Sequence, residues 1–218
     1  MCEGVTSLQF AGSMKVNPSP HEDLQPVPAW EAQRVEGVRE RMRVAGCVFD
    51  FTVSALVNCD SAPSATCHRM VLDSLFREVQ ELNPRFRLQV DLEQAQPTQW
   101  NANQVTDPRK CLPRTYASST KPVSAVTDFE WLFQAFDDPP YSARCEPGLF
   151  ADFCEVAGLW PGCGVEVFDW VGSPDTEPGR STWSNYFDAG KEWWGIWCLT
   201  VWNPRKRTLS ALAASSTD

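Results

Sequence analysis

The chain has 218 residues, of which 43% are hydrophobic and 22% are charged, and its formal net charge is −9 at pH 7. This length and apolar content are typical of a globular protein with one large packed domain or two small ones. No run approaches the roughly 18 consecutive apolar residues of a membrane-spanning helix, so we expect no membrane partner. Direct binding of nucleic acid is not expected either, because a polyanion is normally bound by a concentrated basic surface.

The cysteines predict reduced thiols and therefore a cytoplasmic protein. There are nine of them, an odd number, and none forms a Cys-x-x-Cys pair. A chain of this size does not need disulfides for stability, and residues 1–4 lack the basic start of a secretory signal. Cys145, Cys154 and Cys163 do not have the spacing of a zinc site, so we expect neither a metal nor a cofactor.

A proline-rich segment opens the chain. Residues 1–33 have no hydrophobic period, and their prolines remove backbone donors, so we predict a flexible N-terminal arm. The remainder, residues 34–218, is expected to form a single α+β domain. Over residues 43–57 apolar side chains alternate with polar ones, which predicts a half-buried strand.

A helix and a second strand are predicted to follow. Residues 66–82 place their apolar side chains on one helical stripe, and the helix is expected to end before Pro84. Residues 85–92 alternate again and predict a second strand. This strand–helix–strand unit spans residues 38–93, and a polar loop over residues 94–123 joins it to a second unit.

The second unit, residues 124–218, begins with a helix. Thr127 and Glu130 have the spacing of a capping box, and apolar residues follow at helical intervals. Pro147 predicts the first turn of another short helix, because proline is tolerated there. Residues 164–171 have the composition of a strand.

The last part of the chain is rich in tryptophan and predicts a β-hairpin. Residues 193–202 are apolar on both faces, as in a central strand that is covered on both sides. The turn 203–207, with its Arg-Lys-Arg run, is expected to be a solvated tip, and residues 208–215 return as a strand of small side chains. We therefore predict an α+β fold with a mainly antiparallel sheet, about three packed helices and a C-terminal Trp-rich β-hairpin.

Two groups of residues are candidates for chemistry, and for each a structural role is the simpler interpretation, so we assign no catalytic residue. Cys67 precedes His68 in a predicted helix, but neighbours on a helix point about 100° apart and are badly placed to act together. We expect a cysteine in the capping region beside a surface histidine. Asp169, Trp170 and Trp183 are the candidates for a pocket of the kind that sugar-processing enzymes use. Acids beside aromatic residues are more often the solvated edge of a core.

Charge is the strongest functional signal. Residues 122–204 contain thirteen acidic and three basic residues, a net charge of −10, so the rest of the chain is near neutral. Dense charge of one sign accelerates encounters with an oppositely charged partner, although solubility alone is a simpler explanation. The residues predicted to form an exposed docking face are Asp137, Asp138, Glu146, Asp175, Glu177, Asp188 and Glu192.

These observations favour a non-catalytic binding protein, for example an inhibitor or immunity-type partner of a basic protein. Two alternatives stay open. One is a hydrolase-like enzyme that uses carboxylates or Cys67 in a cleft lined by tryptophan. The other is a structural component of a larger assembly, in which residues 1–33 or 94–123 become ordered on binding.

Overall fold

The computed structural model describes residues 24–57, 62–111, 127–137, 145–192 and 195–215, without the side chains of Ala102 and Glu192. Within these ranges the helices and strands are, in chain order, β1 (Leu24–Pro26), α1 (Ala29–Ala45), β2 (Phe49–Leu56), α2 (Ala65–Leu82), β3 (Thr98–Gln99), α3 (Asp128–Asp137), α4 (Leu149–Val156), β4 (Glu166–Asp169), β5 (Ile196–Asn203) and β6 (Thr208–Ser215).

The six strands of the described chain form one antiparallel sheet, in the order β1-β2-β6-β5-β4-β3. The C-terminal hairpin β5–β6 lies at its centre, as the apolar, tryptophan-rich sequence predicts. On one side β6 pairs with β2, where Phe51 is opposite Leu212, and on the other side β5 pairs with β4, where Thr200 is opposite Phe168. The predicted α+β fold is therefore confirmed, and strands from both halves of the chain share one sheet.

Two hydrophobic clusters lie on opposite faces of this sheet, because successive side chains of a strand point to opposite sides. One cluster combines Phe49 and Phe51 of β2 with the buried sides of α1, α3 and α4. The other combines Leu56 of β2 with the buried side of α2 and with Trp170. Helices thus cover both faces of the sheet, which explains why the central hairpin is apolar on both sides.

Three helices confirm the predictions made for them. α2 ends at its C-cap Asn83, before the proline that follows. α3 begins with the predicted capping box: the Glu130 amide donates to Thr127 Oγ1 and the Thr127 amide donates to Glu130 Oε2, both at 3.2 Å. α4 is the predicted short helix, although it begins at Leu149, so Pro147 precedes its N-cap Gly148 and does not lie in the first turn; the left-handed backbone of Gly158 (φ 77°) follows its last turn.

The helix α1 and the strand β1 correct two predictions, the flexible arm up to residue 33 and the strand that begins at residue 43. Leu24 pairs with Leu56 across the sheet, and the α1 helix follows almost directly. Gly46, with φ 72°, ends α1, so only the part of the alternating pattern from residue 49 onward forms a strand. Residues 1–23 of the predicted arm lie outside the described residues. The hydrophobic side chains that α1 buries, spaced one helical turn apart, are Val35, Val38, Met42 and Ala45.

Residues 85–92 do not form the predicted second strand. Apart from one bridge between Val90 and Ser184, they follow an irregular path. The Gln80 amide group donates to the Phe86 carbonyl at 2.8 Å, and its oxygen accepts from the Leu88 amide at 3.1 Å. Because these bonds occupy backbone groups that a strand ladder would use, a side chain of α2 takes the place of a neighbouring strand.

The predicted loop 94–123 has short elements in its described part. Residues 98–99 form β3 at the edge of the sheet, and two 3₁₀ turns follow at Ala102–Gln104 and Pro108–Lys110. Trp100, which lies between β3 and the first of these turns, is buried. Residues 112–123 lie outside the described residues.

The turn of the β5–β6 hairpin binds the C-terminal end of α4. The last carbonyl groups of a helix have no partner within the helix, so they need donors from elsewhere. The three bonds run from Lys206 Nζ to the Glu155 carbonyl (2.6 Å), from Ser210 Oγ to the Ala157 carbonyl (2.5 Å) and from Asn203 Nδ2 to the Gly158 carbonyl (2.7 Å). The turn is thus only partly the predicted solvated tip: Arg205 and Arg207 are exposed, but Lys206 is half-buried.

Candidate functional site

His68 belongs to the core, not to the surface as the sequence suggests. The residue is 2% exposed, and its ring meets the Phe168 ring edge-on at a centroid distance of 4.7 Å. Its Nδ1 atom lies 2.8 Å from Thr200 Oγ1, which also accepts the indole N–H of Trp170 at 2.9 Å. The threonine oxygen has two lone pairs, so the hydroxyl either donates its proton to Nδ1 or accepts the Nδ1 proton beside that of Trp170. Burial lowers the pKa of His68 to about 4, so the ring is uncharged at pH 7.

Cys67 is also buried, in the first turn of α2. Its amide donates to Oγ of the N-cap Ser64 at 3.4 Å, and the Ser64 hydroxyl lies 3.4 Å from Cys67 Sγ. His68, the next residue, bonds to β5 instead. The two neighbours therefore have different partners, in agreement with their expected separation around the helix.

Asp169, Trp170 and Trp183 come together, but they do not line an open cleft. Trp170 is fully buried, and Trp183 is 4% exposed and donates its indole N–H to the Trp170 carbonyl at 3.0 Å. Asp169 Oδ1 accepts the amides of Val171 and Gly172, each at 2.9 Å, and so shapes the turn after β4. The two rings are part of the core, which leaves Asp169 as the half-buried edge of the group.

A second half-buried carboxylate was not anticipated from the sequence. Tyr186, in the 3₁₀ turn Asn185–Phe187, donates its hydroxyl to Asp50 Oδ2 on β2 at 2.8 Å. Burial raises the pKa of Asp50, and burial also raises the pKa of Tyr186 well above its ordinary value. The tyrosine is therefore a permanent donor, and the contact ties the turn to the sheet. The alternation of β2 placed Asp50 on one face of the sheet, but no local pattern pointed to a tyrosine far along the chain.

The predicted docking residues are divided among separate parts of the molecule. Glu146 forms an ion pair with Arg41 of α1, on the face of the sheet that α1 and α4 cover. Asp188 pairs with Lys191 at 2.9 Å, next to the turn that packs with α2 on the opposite face. Asp137 is half-buried at the end of α3. Asp138 and the side chain of Glu192 lie outside what the structure describes.

Four acidic residues lie at the end of β4, in the turn that follows it and at the start of α3, and we call Asp128, Asp169, Asp175 and Glu177 the acidic edge. Asp128, exposed at the start of α3, is close enough to Asp169 to raise the pKa of that carboxyl, although burial raises it more. Asp175 and Glu177 are exposed in the turn that follows β4. Of the four, Asp128 was not among the binding residues predicted from the sequence, because its nearness to β4 depends on tertiary packing.

Arg180 links two members of the acidic edge, Glu177 and Asp169. Its Nη1 atom pairs with Glu177 Oε2 at 2.9 Å, and Nη2 donates to the carbonyls of Asp169 (2.7 Å) and Gln96 (3.2 Å). Gly172, in left-handed backbone at φ 63°, leaves room for this packing: a Cβ atom there would lie 2.5 Å from both Arg180 and Glu177. The four acids and Arg180 together have a net charge of −3, with Asp128, Asp175 and Glu177 exposed and Asp169 and Arg180 half-buried.

A cleft of about 450 Å³ lies elsewhere, between α4 and the β5–β6 turn. The guanidinium of Arg109 stands 5.2 Å over the ring of Trp160 at its wall. Two acids of its lining form ion pairs with arginines of α1. Glu155 pairs with Arg34 at 2.8 Å, and Asp152 pairs with Arg41 at 2.7 Å. The cleft therefore carries charges of both signs, in contrast to the acidic edge.

Comparisons with known proteins gave no significant match to this chain, whether with protein-family models, curated protein sequences or solved structures. Within the described ranges, no helix is both long enough and apolar enough to cross a membrane. The same part of the chain contains no cluster of three or more His, Cys, Asp or Glu side chains arranged to hold a metal ion.

Proposed function

We propose that this protein is a non-catalytic binding protein, and that it binds a basic protein through the acidic edge. The observation that carries the proposal is the closeness of Asp128 and Asp169. Burial raises the pKa of Asp169, and the nearby Asp128 carboxylate raises it further, so a cationic partner placed against the pair would favour the charged form of Asp169.

The positions of the chemically reactive residues support a binding role. His68, Cys67, Trp170 and Trp183 are all in the core, with hydrogen bonds that explain why they are there. Residues that stabilise the core in this way have little freedom to contact a substrate. The acidic edge, by contrast, lies on an exposed turn and an exposed helix start, which suits a macromolecular partner more than a small ligand enclosed in a pocket.

Electrostatics indicates how such a partner would be recognised. The whole chain has a net charge of −9, so a basic protein is attracted before contact, and the edge then orients it. A basic site that normally binds phosphate groups is a suitable target, because carboxylates can occupy the positions of the phosphates. A partner of this type would be inhibited by the complex, which is the inhibitor or immunity-type role, in the cytoplasm, that the sequence favours.

Capture of partners from the native host's lysate tests this proposal. We expect a stoichiometric basic protein to be captured at about 50 mM salt and roughly tenfold less of it at about 500 mM, because salt screens exposed charges. The variant Asp175→Lys reverses one charge in the acidic edge and is expected to lower capture about tenfold at low salt.

The matched control is Asp188→Lys, which makes the same change at another exposed acid in a surface turn. We expect it to capture the partner as well as the wild type does. Equal losses in the two variants, or a captured protein that is acidic, would argue against the acidic edge as the docking site.

A further inference from the structure

Two cysteines that are far apart in the chain meet beside α4. Cys47 follows the glycine that ends α1, and Cys145 lies four residues before α4. They are 98 residues apart in sequence, but their Sγ atoms are 3.1 Å apart. Both thiols also lie against the carbonyl oxygen of Phe136, at 3.3 Å from Cys145 and 3.8 Å from Cys47.

Neighbouring contacts hold the two thiols in place. The Cys47 amide donates to the Met42 carbonyl at 2.9 Å, which fixes the chain as it leaves α1. Arg41 of α1 forms ion pairs with Glu146, the residue next to Cys145, and with Asp152 of α4. The segments that carry the two thiols are therefore joined by contacts that do not depend on sulfur.

We propose that Cys47 and Cys145 form a reversible intramolecular disulfide, made by thiol–disulfide exchange with a small-molecule disulfide such as oxidised glutathione. The sulfur atoms need to approach by only about 1 Å to reach the bonding distance of roughly 2.05 Å. Because both thiols are half-buried rather than fully buried, a small oxidant can reach them.

The two thiols have different roles in this exchange. The hydrogen bond between them lowers the pKa of Cys145, whereas the same bond and burial raise the pKa of Cys47. The Cys145 thiolate attacks one sulfur of the glutathione disulfide, forms a mixed disulfide and releases one glutathione thiolate. Cys47 then loses its proton to solvent and attacks Cys145 Sγ, which releases the second glutathione. Two protein thiols are oxidised, and one glutathione disulfide is reduced to two thiols.

The disulfide would join the two halves of the chain covalently. Closing a loop of about 100 residues restricts the unfolded chain, so the oxidised protein is expected to be the more stable form. Since the Sγ atoms are already nearly in contact, little rearrangement of the native state is needed. We expect the melting temperature to rise by about 5 °C or more on oxidation.

Peptide mapping after oxidation tests this inference. The wild-type protein is incubated with oxidised glutathione, alkylated, digested and analysed by mass spectrometry. We expect a linked peptide pair that contains Cys47 and Cys145, and its disappearance on addition of excess reduced glutathione. Recovery of both cysteines in alkylated form after oxidation, or their linkage to other cysteines, would overturn it.

Serine variants test the order of attack. Cys47→Ser keeps a hydroxyl donor near Cys145, and we expect it to trap glutathione on Cys145. Cys145→Ser leaves Cys47, whose pKa is still raised by burial, and we expect adduct formation at Cys47 to be roughly tenfold slower. Cys163→Ser, at another half-buried cysteine, is the control and should form the disulfide as the wild type does. Equal adduct rates at Cys47 and Cys145 would overturn the assigned roles.

Discussion

At the scale of single residues, a buried histidine sets one part of the response to pH. His68 bonds to Thr200 through Nδ1, while its Nε2 atom has no partner among the described residues. A second proton on the ring would place a charge in an aromatic environment beside Phe168. The folded protein therefore keeps His68 neutral, with a pKa of about 4 instead of 6.5.

We expect the free energy of unfolding to fall as the pH is lowered from 7 to 5. In this window the unfolded chain, where the pKa of His68 is close to 6.5, binds a proton that the folded protein does not bind. Stability therefore rises with pH across the window, and the contribution of His68 between the two limits is about 2 kcal/mol. Urea unfolding at pH 7, 6 and 5 measures it.

The variant His68→Asn separates this contribution from that of other groups. It keeps a polar side chain near Thr200 but does not titrate in this range. We expect it to be less stable than the wild type at pH 7, and its loss of stability down to pH 5 to be smaller by about 2 kcal/mol. A parallel decline in the two proteins would show that His68 is not held neutral in the fold.

At the scale of elements, the end of α4 and the β5–β6 turn stabilise each other. Asn203 is the centre of this contact. Its Nδ2 donates to the Gly158 carbonyl, and its Oδ1 accepts the amides of Arg205 and Lys206 at 3.1 and 3.0 Å. One buried side chain thus caps a helix and shapes a hairpin turn.

Asn203→Ala is expected to lower the free energy of unfolding by about 2 kcal/mol, because it leaves the two turn amides without their partner and removes one of the two donors to the Gly158 carbonyl, which also accepts the Trp160 amide. Chemical denaturation measures the change. Asn101→Ala is the matched control, since Asn101 shapes an exposed turn by accepting the Asn103 amide, and its loss should cost well under 1 kcal/mol. Similar costs at the two sites would mean that the tertiary cap contributes little.

Elements with strong local signals were predictable from the sequence. The stripe of α2, the capping box of α3 and the hairpin β5–β6 each depend on neighbours within one or two turns of chain. The helix α1 was missed because its buried stripe is narrow and lies among many charged residues. Residues 85–92 were wrongly predicted to form a strand because Gln80 bonds to their backbone groups. A side-chain contact of this type leaves no periodic pattern in the sequence.

The candidate site was predictable only in part, since it depends on tertiary contacts. Asp175 and Glu177 stand in an exposed turn, as expected, but Asp128 reaches the same place only because α3 packs near the end of β4. The contact between Cys47 and Cys145 is similar, with 98 residues between them. Neither separation in the sequence produces a pattern from which the contact could be predicted.

At the scale of the whole molecule, charge is distributed differently from the way it is distributed along the sequence. The acidic segment is partly neutralised by the arginines of α1, which pair with Glu146, Asp152 and Glu155. The acidic edge lies away from that helix, near the end of the sheet that β4 and β3 form. A binding role that depends on charge should therefore be concentrated there.

The association rate of the captured basic partner decides whether the acidic edge is its docking site. It is measured at ionic strengths from about 0.03 to 0.5 M for the wild type, for Asp128→Asn/Asp175→Asn, and for a control, Asp73→Asn/Asp188→Asn. Asp73 lies on α2, where it pairs with Arg77, and is not part of the acidic edge. We expect the wild-type and control rates to fall at least about tenfold over this range, and the edge variant to be slower at low salt and to converge with them at high salt. A rate that does not depend on ionic strength, or equal rates for all three proteins, would show that the partner does not bind through the charge of the acidic edge.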